Sequence, residues 1–128
     1  MSSHSENNNL VRLDRYRLRH LHDANFYSTV HETSGRCLVI FTSKGCASCR
    51  AWKEILLAYL QGFAGMTIFE VDAHESMALA SEYEVFHLPA LFLFQDGDYH
   101  CELRCEANVD VLHRAMEAAF AAPPQEEP

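Results

Sequence analysis

Residues 37–41 read Cys-Leu-Val-Ile-Phe, five apolar residues in a row with polar residues on either side. A run of that length offers water no polar face, which is the pattern of a strand buried on both sides of a sheet. Helical and strand periods alternate around it. Upstream, residues 11–21 predict a first strand. Residues 23–33 predict a short helix, with Asp23 as N-cap and Phe26, Tyr27 and Val30 on one side. Downstream, Trp52, Leu56, Tyr59, Leu60 and Phe63 recur at helical spacing. Met-Thr-Ile-Phe-Glu-Val-Asp at 66–72 predicts a strand, and 76–83 a short helix that Ser76 could cap. Two further strands, 89–94 and 99–105, flank Gln95, Asp96, Gly97 and Asp98, and Asp-Gly between strands signals a hairpin. The last helix is capped by Asn108 and presents Val109, Leu112, Met116 and Phe120 on one face.

The order is therefore β-α-β-α-β-α-β-β-α. Strand-helix-strand units require parallel neighbours with right-handed crossovers, and the hairpin adds antiparallel ones. The expected architecture is a three-layer α/β/α sandwich around a mixed central sheet. A chain of 128 residues fits one domain, expected over 10–122. The Ser- and Asn-rich residues 1–9 and the Pro-rich residues 123–128 read as disordered tails.

Charge and hydropathy exclude several functions. The net charge is −8 with histidine neutral, which disfavours nucleic acid. The short basic run of Arg12, Arg15, Arg17 and Arg19 alternates with Leu13, Tyr16 and Leu18, as on the solvated face of a strand. No apolar run reaches the roughly 20 residues that span a bilayer. The polar N-terminus lacks the apolar core of a secretory signal, so a cytoplasmic protein is expected. In that reducing setting, five cysteines do not form a static disulfide framework.

Two of those cysteines, Cys46 and Cys49, lie where the buried strand gives way to a helix. A helix N-terminus carries unpaired N–H groups and the positive end of the macrodipole, both of which favour a thiolate. Cys46 lies nearest that terminus, near Lys44 and Arg50 in sequence, and is expected to attack a disulfide. Cys49, one turn on and more buried, is expected to resolve the mixed disulfide.

Cys-Ala-Ser-Cys after a strand, followed by Phe-His-Leu-Pro-Ala-Leu-Phe-Leu-Phe-Gln-Asp-Gly at 86–97, resembles the thioredoxin superfamily over about Arg17 to Phe120. The resemblance implies a thioredoxin-like fold and thiol–disulfide oxidoreductase activity without metal or organic cofactor. It implies a protein disulfide client and a reductase or other thiol donor as partners. Pro89 would be a cis-proline facing the dithiol, and the backbone of Leu88 would pair with an extended client. Gly45, Ala47 and Ser48 would line the client surface around the cysteines. Asp72 matches the usual end of its strand. The chain also departs from the family. Gly45 replaces a tryptophan, Glu54 a helix-kinking proline, and Ile40 the buried acid held to assist the second cysteine; Ile68 falls near the lysine that partners that acid. The segment between Asp72 and Pro89 is about two residues longer than usual. These departures keep open an alternative, a binding or assembly module that uses the groove for one specific partner.

The remaining candidates are read as structural. Cys101 and Cys105 would lie about 13 Å apart along a strand at ~3.3 Å per residue. Zinc ligands sit within about 2.3 Å of the ion, so no metal site is expected. Tyr99, Cys101, Leu103 and Cys105 are instead expected to share the buried face of the last strand. Cys105 has a functional alternative as a thiol bordering the active site, and His87 one as a residue two before Pro89. Cys37 is expected to be a core residue.

Overall fold

The computed structural model describes residues 18–128. Five strands, β1 (Arg19–Leu21), β2 (Arg36–Thr42), β3 (Met66–Asp72), β4 (Ala90–Gln95) and β5 (Asp98–Leu103), form one sheet in the order β1-β3-β2-β4-β5. β1, β3 and β2 run parallel, and β4 and β5 antiparallel, so the mixed sheet predicted from the element order is found. Among the described residues four helices cover it: α1 (Phe26–Glu32), α2 (Ala47–Gly62), α3 (Met77–Glu82) and α4 (Val109–Ala121). Arg12, Arg15 and Arg17, like residues 1–9, lie outside the described residues.

The central strand β2 shows why its apolar run is continuous. Cys37, Val39 and Phe41 point to one face and join Phe26, Val30, Leu79 and Tyr83 of α1 and the α3 region. Leu38 and Ile40 point to the other and join Trp52, Leu56, Leu112 and Met116 of α2 and α4. Two cores, one on each side of the sheet, thus need β2 to be apolar throughout.

The hairpin follows its sequence signal. Asp96 and Gly97 both adopt positive φ, +52° and +85°, as a two-residue turn with the twist of its strands demands. Gly97 has a second constraint: a Cβ there would lie 3.0 Å from the His31 carbonyl carbon at the end of α1. Asn108 caps α4 as expected, its Oδ1 accepting from the backbone N–H groups of Asp110 (2.9 Å) and Val111 (3.1 Å).

Four local expectations are corrected. Ser76 precedes α3 as expected, but its side chain makes no cap hydrogen bond. Asn25, not Asp23, precedes α1, and its side chain accepts from His22 N–H instead of capping the helix. Tyr27 turns outward, with its hydroxyl donating to Glu82, while Phe26 and Val30 are buried. In β5 the pairing shifts between Leu93–Cys101 and Phe94–Tyr99, leaving His100 as an extra residue. That bulge breaks the alternation. Tyr99 packs with Tyr83, Phe92 and Phe94 on the α1–α3 side, whereas Cys101, Leu103 and the half-buried Cys105 pack on the α2–α4 side.

Residues 123–128 form no helix or strand. They reach back along β5, where Gln125 N–H donates to His100 O (2.6 Å) and Glu127 accepts from the Tyr83 hydroxyl (2.6 Å).

Candidate active site

The site is assembled at the C-terminal end of β2. The strand ends at Thr42, and the chain turns through Ser43, Lys44 and Gly45 into α2. Gly45 has φ +80° with open space around its Cα, so the turn itself selects glycine. Cys46 then occupies the N-cap position, where serine or aspartate is usual. Its Sγ accepts the backbone N–H of Cys49 (3.2 Å) and lies 3.4 Å from Ser48 Oγ. Cys46 and Cys49 form a disulfide, with Cα atoms 5.2 Å apart. Cys46 is half-buried and Cys49 is 1% exposed, so an incoming molecule reaches the first sulfur and not the second.

Of the other sequence candidates, Gly45 shares a cavity wall with Cys49, whereas Pro89 lines a separate groove in whose wall neither cysteine stands. Ala47 and Ser48 are exposed on the first turn of α2. The Leu88–Pro89 peptide is cis. Pro89 lines a groove of about 310 Å³ with Trp52, Phe86, His87, Arg104 and Cys105, while Leu88 is half-buried against the α1–α3 core. Phe86 projects from the groove wall with 83% of its surface exposed. Burial raises the thiol pKa of Cys101 and Cys105, and drives that of Cys37 up to about 12. All three are free thiols. Among the described residues, no group of three or more His, Cys, Asp or Glu side chains is arranged to hold a metal ion.

Sequence reasoning missed one part of the site. Ile40 and Ile68 are buried and apolar, as expected, but the register partner of Ile40 across β3 is Glu70, 3% exposed. A buried carboxylate requires compensation. Oε2 accepts the Thr42 hydroxyl at 2.6 Å and meets Lys53 Nζ at 3.2 Å. Oε1 comes within 3.1 Å of His20 Nε2 but makes no hydrogen bond. Glu70, Thr42, Lys53 and His20 line a cavity of about 300 Å³ whose wall also includes Gly45 and Cys49. Two signals in the sequence pointed there. Strand alternation puts Glu70 on the face of Ile68, and Lys53 lies four residues after Cys49, on the same side of α2.

A mixed sheet flanked by helices on both faces, with a cysteine pair at the N-terminus of the helix after the central strand, defines the thioredoxin fold and, in general terms, a thiol–disulfide oxidoreductase. The thioredoxin family model matches residues 17–118. The chain belongs to the thioredoxin family. Thioredoxin C-2 of Corynebacterium nephridii is 32% identical over 99 residues, which cover 77% of this chain and 87% of that protein. A thioredoxin of Staphylococcus aureus is 34% identical over 76 residues, covering 59% of this chain and 71% of its own length. Among solved structures, mitochondrial thioredoxin 3 of Saccharomyces cerevisiae in its oxidized form superposes with a TM-score of 0.68 at 20% identity. The match covers 79% of this chain and 94% of that one. The zinc-bound form of human ERp44 superposes at 0.66 with 19% identity over 80% of this chain and 30% of that one. These two likenesses concern the fold.

Proposed function

We propose that the protein exchanges its Cys46–Cys49 dithiol with disulfides of protein clients in the cytoplasm, and is returned to the dithiol by a reductase or another thiol donor. The observation that carries this reading is the position of Cys46: a half-exposed sulfur at a helix N-cap, already accepting a backbone N–H from Cys49. In the reduced protein that donor and the helix dipole hold negative charge on Cys46.

The Cys46 thiolate attacks a client disulfide and forms a mixed disulfide, expelling the first client thiolate. Cys49 then loses its proton, and its sulfur attacks Cys46 Sγ. The Cys46–Cys49 bond forms, the bond to the client breaks, and the second client thiolate leaves. Gly45, Ala47 and Ser48 offer a low surface beside the reacting sulfur, and the backbone of Leu88, next to the groove that Pro89 lines, pairs with the extended client chain. The three further free thiols fit a reducing compartment. Reduction of insulin by a thiol donor, with Cys46→Ser as the control, tests the reading: turnover that survives the substitution overturns it. The exposed ring of Phe86 at the groove supports a second reading, in which the groove holds one specific partner and general reduction is slow. A partner retained by the Cys46→Ser, Cys49→Ser double variant distinguishes it.

A further inference from the structure

The aromatic cluster on the α1–α3 side of the sheet does not close completely. It leaves a cavity of about 480 Å³, walled by Phe26 and Tyr27 of α1, Tyr83 after α3, and Phe94 and Tyr99 of the hairpin strands. Neither cysteine of the dithiol stands in its wall. The hairpin lies at the start of β2, where Gln95 pairs with Arg36, whereas the dithiol follows the end of that strand at Thr42. From Arg36 to Thr42, at ~3.3 Å per residue, the two places lie roughly 20 Å apart along the sheet.

Charge around the cavity has one sign. Asp98 and Glu127 line it, and Glu82 accepts the Tyr27 hydroxyl beside it. Among the described residues none of these three carboxylates forms an ion pair, and no lysine or arginine lines the cavity. His31 is the one lining residue able to take up a positive charge. The Tyr83 hydroxyl donates to Glu127 Oε2 (2.6 Å), so this donor and that of Tyr27 are spent on carboxylates. Carboxylate lone pairs and ring surface remain to meet a guest. Burial first, and then the Glu82 carboxylate, push the Tyr27 phenol up to about 12; burial and then Glu127 raise that of Tyr83. Both rings therefore stay neutral near neutral pH.

We propose that this cavity is a binding site for an organic cation with an apolar body, an alkyl- or arylalkyl-ammonium. The body lies against the aromatic wall and the ammonium meets Glu127 and Asp98, so that ring faces and carboxylates attract the same charge. An anion would meet carboxylates with no cation to offset them. A bare metal ion would need converging ligands, and no such group of His, Cys, Asp or Glu exists among the described residues. The volume lies within the range of about 300–1,000 Å³ usual for small-molecule sites. The wall is preformed. Phe94 and Tyr99 pack edge-to-face at 5.6 Å, as do Phe26 and Tyr83 at 5.7 Å, so each ring fixes the tilt of its neighbour. Glu127 belongs to a segment without helix or strand, but Gln125 on the His100 carbonyl and Glu127 on Tyr83 hold that segment against the cavity.

The test is an NMR titration of the isotope-labelled protein at about pH 8, where free imidazole is neutral. Three probes share one body: phenethylamine, the uncharged 2-phenylethanol and the anionic 3-phenylpropionate. The amine should shift the backbone amides of Gly97, Asp98 and Tyr99 saturably. The alcohol should bind about tenfold more weakly, and the carboxylate should not bind. Glu127→Gln should lower the affinity for the amine about fivefold, as expected of an ion pair near the surface, and leave that for the alcohol unchanged. Glu54→Gln removes the same charge from an exposed position on α2 and should change nothing. Tyr27→Phe should keep the affinity, and Tyr27→Leu should lose about fivefold with the ring. Tyr27 and Glu127 are both exposed, so these variants leave the core intact. No saturable shift at the hairpin, equal affinity for amine and alcohol, or native affinity in both Glu127→Gln and Tyr27→Leu overturns the proposal. Equal weakening by Glu127→Gln and Glu54→Gln overturns it too, because the amine would then follow only the net charge of −8.

Discussion

Replacing Ile40 by aspartate tests the electrostatics of the site from the strand next to Glu70. Ile40 is fully buried, and its Cα pairs in register with that of Glu70 across parallel strands. Such strands lie about 4.8 Å apart. The substitution removes most of a core side chain, at about 2–5 kcal/mol for losses of this kind, and buries a carboxyl with no partner waiting for it. The second effect adds about 1–3 kcal/mol on the scale of protein mutants. The total approaches the whole stability of a domain, about 5–15 kcal/mol. Burial and the neighbouring Glu70 both raise the folded-state pKa of the introduced carboxyl above its unfolded value. A group of that kind contributes stability below its unfolded pKa, about 3.9, and loses it as pH rises through the folded pKa. The destabilisation should therefore grow from about pH 4 towards neutrality. Ile40→Asn, of similar size and without charge, should show a cost that is flat over the same range. Urea unfolding followed through Trp52, the single tryptophan and itself buried, measures both variants. A cost within about 0.5 kcal/mol, the range of surface substitutions, refutes the reasoning, as does a pH-independent cost in the aspartate variant.

Other outcomes can be checked more briefly. In the reduced protein at neutral pH, iodoacetamide followed by peptide mass mapping should find Cys46 labelled first. Cys37, with its thiol pushed up to about 12 by burial, should stay unlabelled until the protein unfolds. Gly97→Ala should destabilise by about 1–2 kcal/mol from its left-handed backbone alone, and by more because the new methyl meets the His31 backbone; thermal unfolding reads this directly. Asn108→Ala should cost about 1 kcal/mol through loss of two cap hydrogen bonds, and Asn108→Asp should restore most of it.

The element order was legible because each element carried its own punctuation. Asp96-Gly97 set the hairpin, Asn108 the last helix, and the unbroken run 37–41 the strand with a core on each side. Local signals failed where two of them competed or where the outcome lay across the sheet. Asp23 and Asn25 are both good caps, and nothing local decides between them. The bulge at His100 depends on how β5 meets β4, so strict alternation put Tyr99 on the wrong face. Glu70 was visible as a residue on the face of Ile68, but its significance was not. A carboxylate in a strand is recognised as part of a site only when Lys53 from a helix, His20 from another strand and the wall at Cys49 are seen to converge on it.

The C-terminal segment has a consequence for association between copies of the chain. A sheet that ends in an unpaired strand offers its free N–H and C=O groups to any other strand that meets it, and this is the usual starting point for edge-to-edge aggregation. Here β5 is one such border, and Gln125 already occupies the His100 carbonyl on it. The opposite border, β1, extends over three described residues and carries the exposed Arg19 and His20. One rim thus has a carbonyl already taken by the chain's own last residues, and the other, over the described residues, is short and polar. Edge-to-edge pairing of the described sheet is therefore discouraged at both borders.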